Sequence, residues 1–358
     1  MKYIWTFCIF LSFVQTHQAQ RANYELVWSD EFEGNGAIDP EKWHHQTQIP
    51  NGQSWYNGEI QHYTDRIENS FVSEGTLKIM AKRETYTNQG VTKDFTSARL
   101  NSKFAFTYGR VVVRAKLPFG IGTWPAIWML GKNIIEPGAY FTSTHGTTSW
   151  PACGEIDIME HWGNNQNYIS SALHTPSSFG GTVNTGGQFV SNVSDEFHDY
   201  ILEWDEERMI FSVDNIVHYT YQPDPQNMET WPFDADQYML FNVAILPEII
   251  PTNFTEDAME VDYIRIYQNN LAAGDFEQPL NQPWYPNPAR DHITLQDASD
   301  YMGGTVKIFG IDGALIGVFE VSATSLILDM SSYASGLYYV VLESASQRHT
   351  NTSKVIKF

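Results

Sequence analysis

The feature that most constrains this chain is a series of short apolar stretches in which every second residue is apolar. Between residues 24 and 268, Gly, Asn, Pro and Asp cluster between stretches of this kind, which lie at 76–81, 110–117, 210–213, 238–243 and 259–267. A period of two residues is typical of β-strands, and convincing patterns for long amphipathic helices are absent from the sequence. We therefore predict an all-β fold, built as an antiparallel sandwich or barrel.

A change in composition divides the chain. Residues 269–283 (NNLAAGDFEQPLNQP) interrupt the strand pattern and are typical of a linker. The pattern then resumes with predicted strands at 292–295, 305–309, 314–319, 325–329 and 336–343. We predict a large β domain over residues 21–268 and a second, smaller β-sandwich domain over residues 284–358.

The first 20 residues are typical of a secretory signal peptide. Lys2 supplies the positive charge, and residues 4–14 form an apolar core too short to span a bilayer. No later stretch is long and apolar enough for a transmembrane helix, so we expect no membrane span. Cys8 lies in the signal, and the mature chain keeps only Cys153 and cannot form an internal disulfide.

Charge and aromatic content narrow the function classes. The chain carries 42 acidic against 21 basic residues, a formal net charge of -21, which excludes a typical nucleic-acid binder. The same charge disfavours anionic membranes and, more weakly, sulfated substrates, although solubility alone explains it equally well. Aromatic residues make up 14% of the chain, and Trp and Tyr rings suit sugar binding as well as a core.

The segment with most chemical content is GEIDIME, which holds Glu155, Asp157 and Glu160. In a regular strand Glu155 and Asp157 share one face, but Met159 would be next on it instead of Glu160. We therefore predict a β-bulge around residues 158–159 that returns Glu160 to the face of the other two acids.

Two glutamates on either side of a shorter aspartate can lean together until their carboxyl groups are about 5–5.5 Å apart, the separation of a retaining glycosidase. Glu155 is then the nucleophile, Glu160 the general acid and base, and Asp157 the residue that orients Glu155. Three close carboxylates cannot all ionise cheaply, so we expect Glu160 to keep a proton near neutral pH. Taken alone, the pattern also fits an acidic strand face or a Ca²⁺ site.

The wider context resembles glycoside hydrolase family 16, in its laminarinase-like (endo-1,3-β-glucanase) branch. GEIDIME is similar to the active-site signature of that family. Further matching stretches are WSDEF at 28–32, NGEIQHYT at 57–64, EGTLKIMAKRE at 74–84, TWPAIWM at 123–129, FHDYILEW at 197–204 and MEVDYIRIYQ at 259–268. The resemblance implies a β-jelly-roll with a cleft on its concave sheet and retaining hydrolysis of β-1,3 or β-1,4 bonds in glucans or galactans.

The resemblance also implies residues that bind substrate or metal. Trp124 and Trp128 would be stacking platforms, with Trp162 as a further platform or a loop aromatic. The expected polar contacts to the sugar are Trp55, Asn57, Glu59, Arg99 and His174, where Arg99 is equally explained as a surface charge and His174 as a core or rim histidine. No cofactor is expected for catalysis, but a structural Ca²⁺ would be held by backbone oxygens of Glu33 and Gly75 and by the Asp262 side chain.

Two stretches depart from the family pattern. After residue 244 the chain reads ILPE where relatives have two glycines and a tryptophan, which leaves substrate choice open. Residues 133–149 resemble an insertion, either a loop that shapes the cleft or an inert surface loop.

The C-terminal residues resemble a type IX secretion sorting domain. YPNPA at 285–289, VKIFGIDG at 306–313, LDMSSYASGL at 328–337 and the final KVIKF carry this resemblance. It implies recognition by secretion machinery and a location outside the cell or at its surface. A carbohydrate-binding module is the alternative for this segment.

We expect the protein to be a monomeric endo-β-1,3-glucanase. Agarase-, porphyranase- or carrageenase-type galactan hydrolysis is the alternative within the family, and a non-catalytic glucan-binding protein is the alternative outside enzymes. Transglycosylation uses the same retaining intermediate and stays open.

Overall fold

A computed structural model describes residues 24–358, apart from residues 51, 248–250, 252, 270–283, 312 and 346–349. The predicted signal peptide and all but the first residue of the predicted linker therefore lie outside the described residues. The chain separates into two compact units, residues 1–270 and residues 271–358.

The first unit is built almost entirely of strands. Its strands are β1 (Tyr24–Asp30), β2 (Trp43–His45), β3 (His62–Tyr63), β4 (Ser70–Ser73), β5 (Thr76–Asn88), β6 (Val91–Ser97), β7 (Arg99–Phe106), β8 (Gly109–Lys116), β9 (Thr123–Gly131), β10 (Glu155–Glu160), β11 (Tyr168–His174), β12 (Thr185–Phe189), β13 (His198–Trp204), β14 (Met209–Val213), β15 (Ile216–Tyr221), β16 (Gln237–Ile245) and β17 (Glu256–Asn269). A 3₁₀ turn at Tyr56–Gly58 and one helical turn, α1 (Thr142–His145), complete the unit. No helix among the described residues has the length and apolar character needed to span a bilayer.

These strands form two sheets. The larger sheet has the order β15-β14-β13-β8-β17-β5-β6-β3, with β1 paired to β17 and β4 paired to β5. The smaller sheet, called here the catalytic sheet, has the order β12-β11-β10-β9-β16-β7-β2. Strand pairs are antiparallel except for β3 with β6. Neighbouring strands are often far apart in sequence, as in a jelly-roll, and the predicted all-β sandwich is confirmed.

The core lies between the two sheets because each strand turns its alternate apolar residues inward. Val111 and Val113 of β8 and Ile264 of β17 are fully buried from one side, and Ile127 and Phe241 of the catalytic sheet from the other. A core of this size accounts for a stable exported domain whose one described cysteine, Cys153, is free and buried.

The second unit, described by itself, has its own core. Its strands are β18 (Trp284–Tyr285), β19 (His292–Leu295), β20 (Thr305–Gly310), β21 (Leu315–Glu320), β22 (Leu326–Asp329), β23 (Gly336–Glu343) and β24 (Thr350–Lys357), with a 3₁₀ turn at Ser299–Tyr301. They form sheets of the order β18-β19-β22 and β21-β20-β23-β24. Trp284, Ile308 and Val340 are buried between them, as expected for a small sandwich.

We expect replacement of Phe211 on β14 by alanine to lower the free energy of unfolding of the catalytic unit by about 3–5 kcal/mol. The ring is fully buried in the core, so its removal leaves a cavity. Ile216→Ala on the adjacent β15 is the control, because that side chain is 65% exposed and should change the stability by less than about 0.5 kcal/mol. Denaturant unfolding of the purified protein gives both values, and equal effects of the two substitutions would contradict the assigned core.

Candidate active site

Four adjacent strands of the catalytic sheet, β7, β16, β9 and β10, form the floor of an open cleft. Their registers align one row of residues across the sheet: Arg99 pairs with Asn242, Asn242 with Ala126, and Ala126 with Glu160. The cleft has a volume of about 950 Å³, and its lining includes all four of these residues. Hydrogen bonding across the sheet therefore fixes the positions of polar groups contributed by strands that are distant in sequence.

The predicted β-bulge is present in β10. Against β9, the register shifts between Asp157 and Met159, and against β11 it shifts between Asp157 and Glu160. Ile158 is the extra residue, and both Ile158 and Met159 are buried in the core. Two successive inward residues let Glu160 join Glu155 and Asp157 in the lining of the cleft.

Both glutamates accept a hydrogen bond from an indole. Trp150 Nε1 donates to Glu155 Oε2 at 3.0 Å, and Trp124 Nε1 donates to Glu160 Oε1 at 3.0 Å. An indole N–H can only donate, so each tryptophan holds one carboxyl oxygen in place and favours its ionised form.

His174 is next to the first two acids, as the resemblance implies. Its Nε2 is 3.5 Å from Glu155 Oε1 and 3.3 Å from Asp157 Oδ2. The backbone N–H of Gly180 donates to His174 Nδ1 at 3.0 Å. The neutral ring must therefore carry its proton on Nε2 and present it to the carboxyl groups.

This tautomer argues against a metal ion that uses His174 as a ligand. Ligand atoms of Glu155, Asp157 and His174 lie within 4.8 Å of one another, a spacing that suits a cation. However, His174 Nε2 carries the proton, so it has no lone pair for an ion while Nδ1 accepts from Gly180. Ca²⁺ takes oxygen ligands and needs no histidine, so the Ca²⁺ alternative for the carboxyl groups is not decided by this tautomer.

Burial raises the pKa of all three carboxyl groups. It raises the pKa of Asp157 to about 8, and with repulsion from Asp157 it raises the pKa of Glu160 to about 8. The pKa of Glu155 is also raised well above its ordinary value, first by burial and then by repulsion from Asp157. The three acids therefore cannot all be ionised near neutral pH, and the cluster retains at least one proton.

Five of the eight predicted substrate residues line the cleft directly: Asn57, Glu59, Arg99, Trp124 and Trp128. Trp162 stands behind Trp124, with ring centroids 5.5 Å apart and an angle of 22° between the planes. It is not among the described residues that line the cleft, and its role as a further platform stays a prediction. His174 contacts the acids themselves, which favours the functional interpretation of this residue over a core or rim role.

Trp55 requires a correction. The sequence predicts a contact between its side chain and sugar hydroxyls, but the residue is only 2% exposed. Its ring packs edge-on against Tyr63, with centroids 4.7 Å apart. Trp55 therefore supports the wall of the cleft from behind, because the 3₁₀ turn at Tyr56–Gly58 places Tyr56 and Asn57 at the surface in its stead.

Arg99 is neither a surface charge nor a free cation in the cleft. Its Nη2 donates to both carboxylate oxygens of Glu136, at 2.9 and 3.0 Å. Its guanidinium lies 4.7 Å from the ring centroid of Trp128. Arg99 and Glu136 are 4% and 5% exposed, and removing one partner of such a buried pair typically costs about 3–5 kcal/mol. The pair therefore fastens Glu136, and the loop that carries it, to the cleft floor.

That loop is the insertion-like stretch at residues 133–149, and it shapes the cleft. Ile134, Ile135 and Glu136 all belong to the lining. Phe141 and Ile134 are buried with Leu240 in a small separate core on this side of the sheet. The alternative of an inert surface loop is therefore wrong.

The sequence analysis missed Trp150, Glu136 and Asn242. Trp150 directly follows the insertion and lies five residues before Glu155. This closeness in sequence was a signal that its indole could bind the acid motif. Asn242 accepts a hydrogen bond from Trp128 Nε1 at 2.7 Å and donates to the Tyr63 hydroxyl at 3.2 Å. No motif carried this signal, since it depends on the register of β16 with β9.

The other departure from the family pattern, residues 245–248, directly follows a residue of the cleft lining. Ala244 belongs to the lining, and the next two residues are fixed by backbone groups: Ile245 N–H donates to Gln61 Oε1 and Leu246 N–H to the Gly122 carbonyl. Glu248 lies outside the described residues.

Of the predicted calcium ligands, Asp262 has a partner from the chain at its side chain. Asp262 Oδ2 accepts a hydrogen bond from Arg114 Nε at 3.1 Å. Lys78, which follows the turn containing Gly75, donates its ammonium group to the Ser73 carbonyl and to Thr76 Oγ1. Arg114 thus binds the predicted ligand Asp262, Lys78 binds the neighbours of Gly75 and not Gly75 itself, and Glu33 is exposed. The structural Ca²⁺ stays a prediction from the sequence.

Two family models match the chain. Residues 57–265 match the glycosyl hydrolases of family 16, and residues 284–357 match the secretion system C-terminal sorting domain. The second match confirms the predicted sorting domain and assigns the protein to type IX secretion, to the cell surface or the extracellular space.

Curated and solved relatives agree with the first match. A beta-glucanase from Rhodothermus marinus is 38% identical over 266 residues, which cover 69% of this chain and 86% of that protein. A keratan-sulfate endo-1,4-beta-galactosidase from Sphingobacterium multivorum is 32% identical over 271 residues, covering 73% and 60%. LamA from Z. galactanivorans, solved in complex with laminaritriose and laminaritetraose, is 50% identical, with a TM-score of 0.63 and coverage of 68% and 98%. This chain is therefore a glycoside hydrolase that belongs to family 16.

Proposed function

We propose that the protein is an endo-acting β-1,3-glucanase that hydrolyses laminarin-like glucan with retention of the anomeric configuration. The observation that carries this proposal is the convergence of three carboxyl groups on the floor of an open cleft, with an indole N–H bound to each glutamate. An open cleft admits the middle of a polysaccharide chain, which favours endo action.

The hydrogen bonds divide the roles between the glutamates. Glu155 accepts from Trp150 and lies beside the Nε2 proton of His174, and both donors stabilise a carboxylate. Burial raises the pKa of both glutamates, but Glu155 has two N–H groups beside its carboxyl group where Glu160 has one. We therefore assign the negative charge to Glu155, the nucleophile, and a proton to Glu160. Glu155 attacks the anomeric carbon while Glu160 gives its proton to the departing glucosidic oxygen. Water then gives a proton to Glu160 and its oxygen to the anomeric carbon, which releases Glu155.

The charges of the cleft favour a neutral polymer. Among the described residues that line it, Arg99 is the one cation, and Glu136 neutralises it. Glu59 adds a further buried acid. A sulfated or carboxylated sugar would lose water in this cleft without gaining an ion pair, which counts against carrageenan, porphyran and keratan sulfate.

The relatives support the same substrate class. A beta-glucanase and a LamA structure holding β-1,3-glucan oligosaccharides are among them. One relative is named as a keratan-sulfate galactosidase, which supports the galactan alternative. Because the cleft disfavours charged sugars, agarose, a neutral galactan, is the polymer of that class to test. A non-catalytic glucan-binding role is disfavoured because all three acids are present and in contact distance of donors.

The proposal is tested by incubating the protein with laminarin, mixed-linkage glucan, agarose, porphyran and carrageenan. We expect new reducing ends with laminarin, a mixture of oligosaccharide lengths at early times, and a β-configured product by proton NMR before mutarotation. Glucosyl transfer to an added acceptor would identify transglycosylation. New reducing ends from agarose alone would overturn the assignment of laminarin as the substrate. A first product with the α configuration would overturn the double-displacement mechanism.

We expect Glu155→Gln to lower kcat/KM on laminarin by at least about a thousandfold, since the amide cannot form the glycosyl ester. The purified variant is assayed for reducing ends beside Glu203→Gln, a matched change on β13 in the opposite sheet, which should retain full activity. Turnover by Glu155→Gln near the parent rate would refute the nucleophile assignment.

The pH dependence should report the repulsion between the acids. Glu160 acts as an acid while protonated, so its raised pKa of about 8 keeps the enzyme active up to about that pH. Asp157→Asn removes the repulsion that adds to burial in raising this pKa. We therefore expect the alkaline limb of the kcat/KM profile to move to lower pH in this variant, and an unchanged limb or a shift upward would contradict the assignment.

A further inference from the structure

The carbonyl of the extra residue in the catalytic bulge has a side-chain partner. Ser171 Oγ donates to the Ile158 carbonyl oxygen at 2.7 Å. Ser171 lies on β11 opposite the bulge, between Ser170, which pairs with Glu160, and Ala172, which pairs with Asp157. It is fully buried, and since a hydroxyl has one proton, it must accept in any other hydrogen bond it makes.

That requirement sets the direction of a longer chain of hydrogen bonds. His218 Nε2 lies 2.8 Å from Ser171 Oγ and must be the donor, which leaves Nδ1 of the neutral ring as an acceptor. Gln188 Nε2 lies 3.2 Å from His218 Nδ1 and donates to it. Burial lowers the pKa of His218 to about 4, so the ring is neutral between pH 5 and 8 as this chain requires.

The chain of bonds joins the two sheets. Ser171 and Gln188 belong to the catalytic sheet, whereas His218 belongs to β15 in the larger sheet. A Cβ atom on Gly186 of β12 would lie 2.7 Å from Cβ and 2.8 Å from two ring atoms of Tyr219 on β15. Only glycine at this position lets the two edge strands approach closely. The approach allows Gln188, two residues further along β12, to meet His218, the neighbour of Tyr219 on β15.

We propose that Gln188, His218 and Ser171 are positioning residues that hold the bulge and, through it, the carboxyl group of Glu160. Glu155 and Asp157 are in regular register with both neighbouring strands, whereas Glu160 follows the extra residue. A rotation of the peptide at Ile158 therefore displaces Glu160 and leaves Glu155 in place. This inference rests on the proposed function, in which Glu160 protonates the leaving oxygen.

Substrates with different leaving groups distinguish a loss of Glu160 function from a loss of Glu155 function. A glucosidic oxygen of laminarin leaves only when protonated, whereas 2,4-dinitrophenolate leaves without a proton. A displaced Glu160 thus slows the cleavage of a laminari-oligosaccharide and spares that of 2,4-dinitrophenyl β-laminaribioside. The measured quantity is kcat/KM, which for both substrates covers the steps up to formation of the glycosyl-enzyme.

We expect Ser171→Ala to lower kcat/KM on laminaripentaose by about 10- to 100-fold, the usual cost of a misplacement near 1 Å, and to change kcat/KM on the aryl glycoside by less than about threefold. We define the substrate ratio as kcat/KM on laminaripentaose divided by kcat/KM on the aryl glycoside. This ratio does not depend on the fraction of correctly folded enzyme. His218→Ala should lower the ratio similarly, and His218→Gln, which restores an N–H donor, should recover most of the loss. Ser212→Ala on β14 is the matched control and should leave the ratio unchanged.

Glu160→Ala calibrates the experiment. It should lower the ratio more than any other variant, and equal losses on both substrates would overturn the proposed role of Glu160 itself. If Glu160→Ala lowers the ratio while Ser171→Ala and His218→Ala lower both activities in parallel, the three residues only support the fold and the positioning role is overturned. Should Ser171→Ala yield no folded protein, the comparison of His218→Ala with His218→Gln decides between the same two outcomes.

Discussion

The extra residue at Ile158 is the constraint on which the active site depends. In a regular strand Glu160 would face the core, where an unpaired carboxyl group is far too costly to bury. The bulge sends Ile158 and Met159 inward together and turns Glu160 to the cleft, so three inward apolar side chains and three outward acids coexist in a strand of six residues. The large core between the sheets stabilises this irregular strand.

Electrostatics in the cleft follow from that crowding. Burial raises the pKa of all three carboxyl groups, and repulsion from Asp157 raises the pKa of both glutamates further. The polar groups nearest to the acids are N–H groups of Trp124, Trp150 and His174 instead of free cations. Such donors stabilise a carboxylate without cancelling its charge, so the cluster can hold one proton and still present one nucleophile. Glu136 pairs with Arg99, the one cation among the described residues that line the cleft.

The sequence predicted features that depend on neighbouring residues, and it failed where distant strands meet. Alternation located β5, β8 and β16, and the spacing of Glu155, Asp157 and Glu160 was enough to predict the bulge. The burial of Trp55 and the pairing of Arg99 with Glu136 depend on how a turn and an insertion fold over the sheet. No local pattern encodes that packing, because the partners are separated by tens of residues and meet only after the sheet has formed.

Both reacting glutamates belong to a single short strand, and this has a mechanical consequence. One stretch of backbone sets the distance between the two glutamates. No hinge, lid or second segment therefore has to move to bring them together. Other parts of the cleft lining, such as Ile134, Ile135 and Ala244, belong to different segments of the chain. In a catalytic unit of this kind, the loops that line the cleft can change in sequence, and the polymers that enter the cleft can change with them. The distance between the reacting carboxyl groups stays the same.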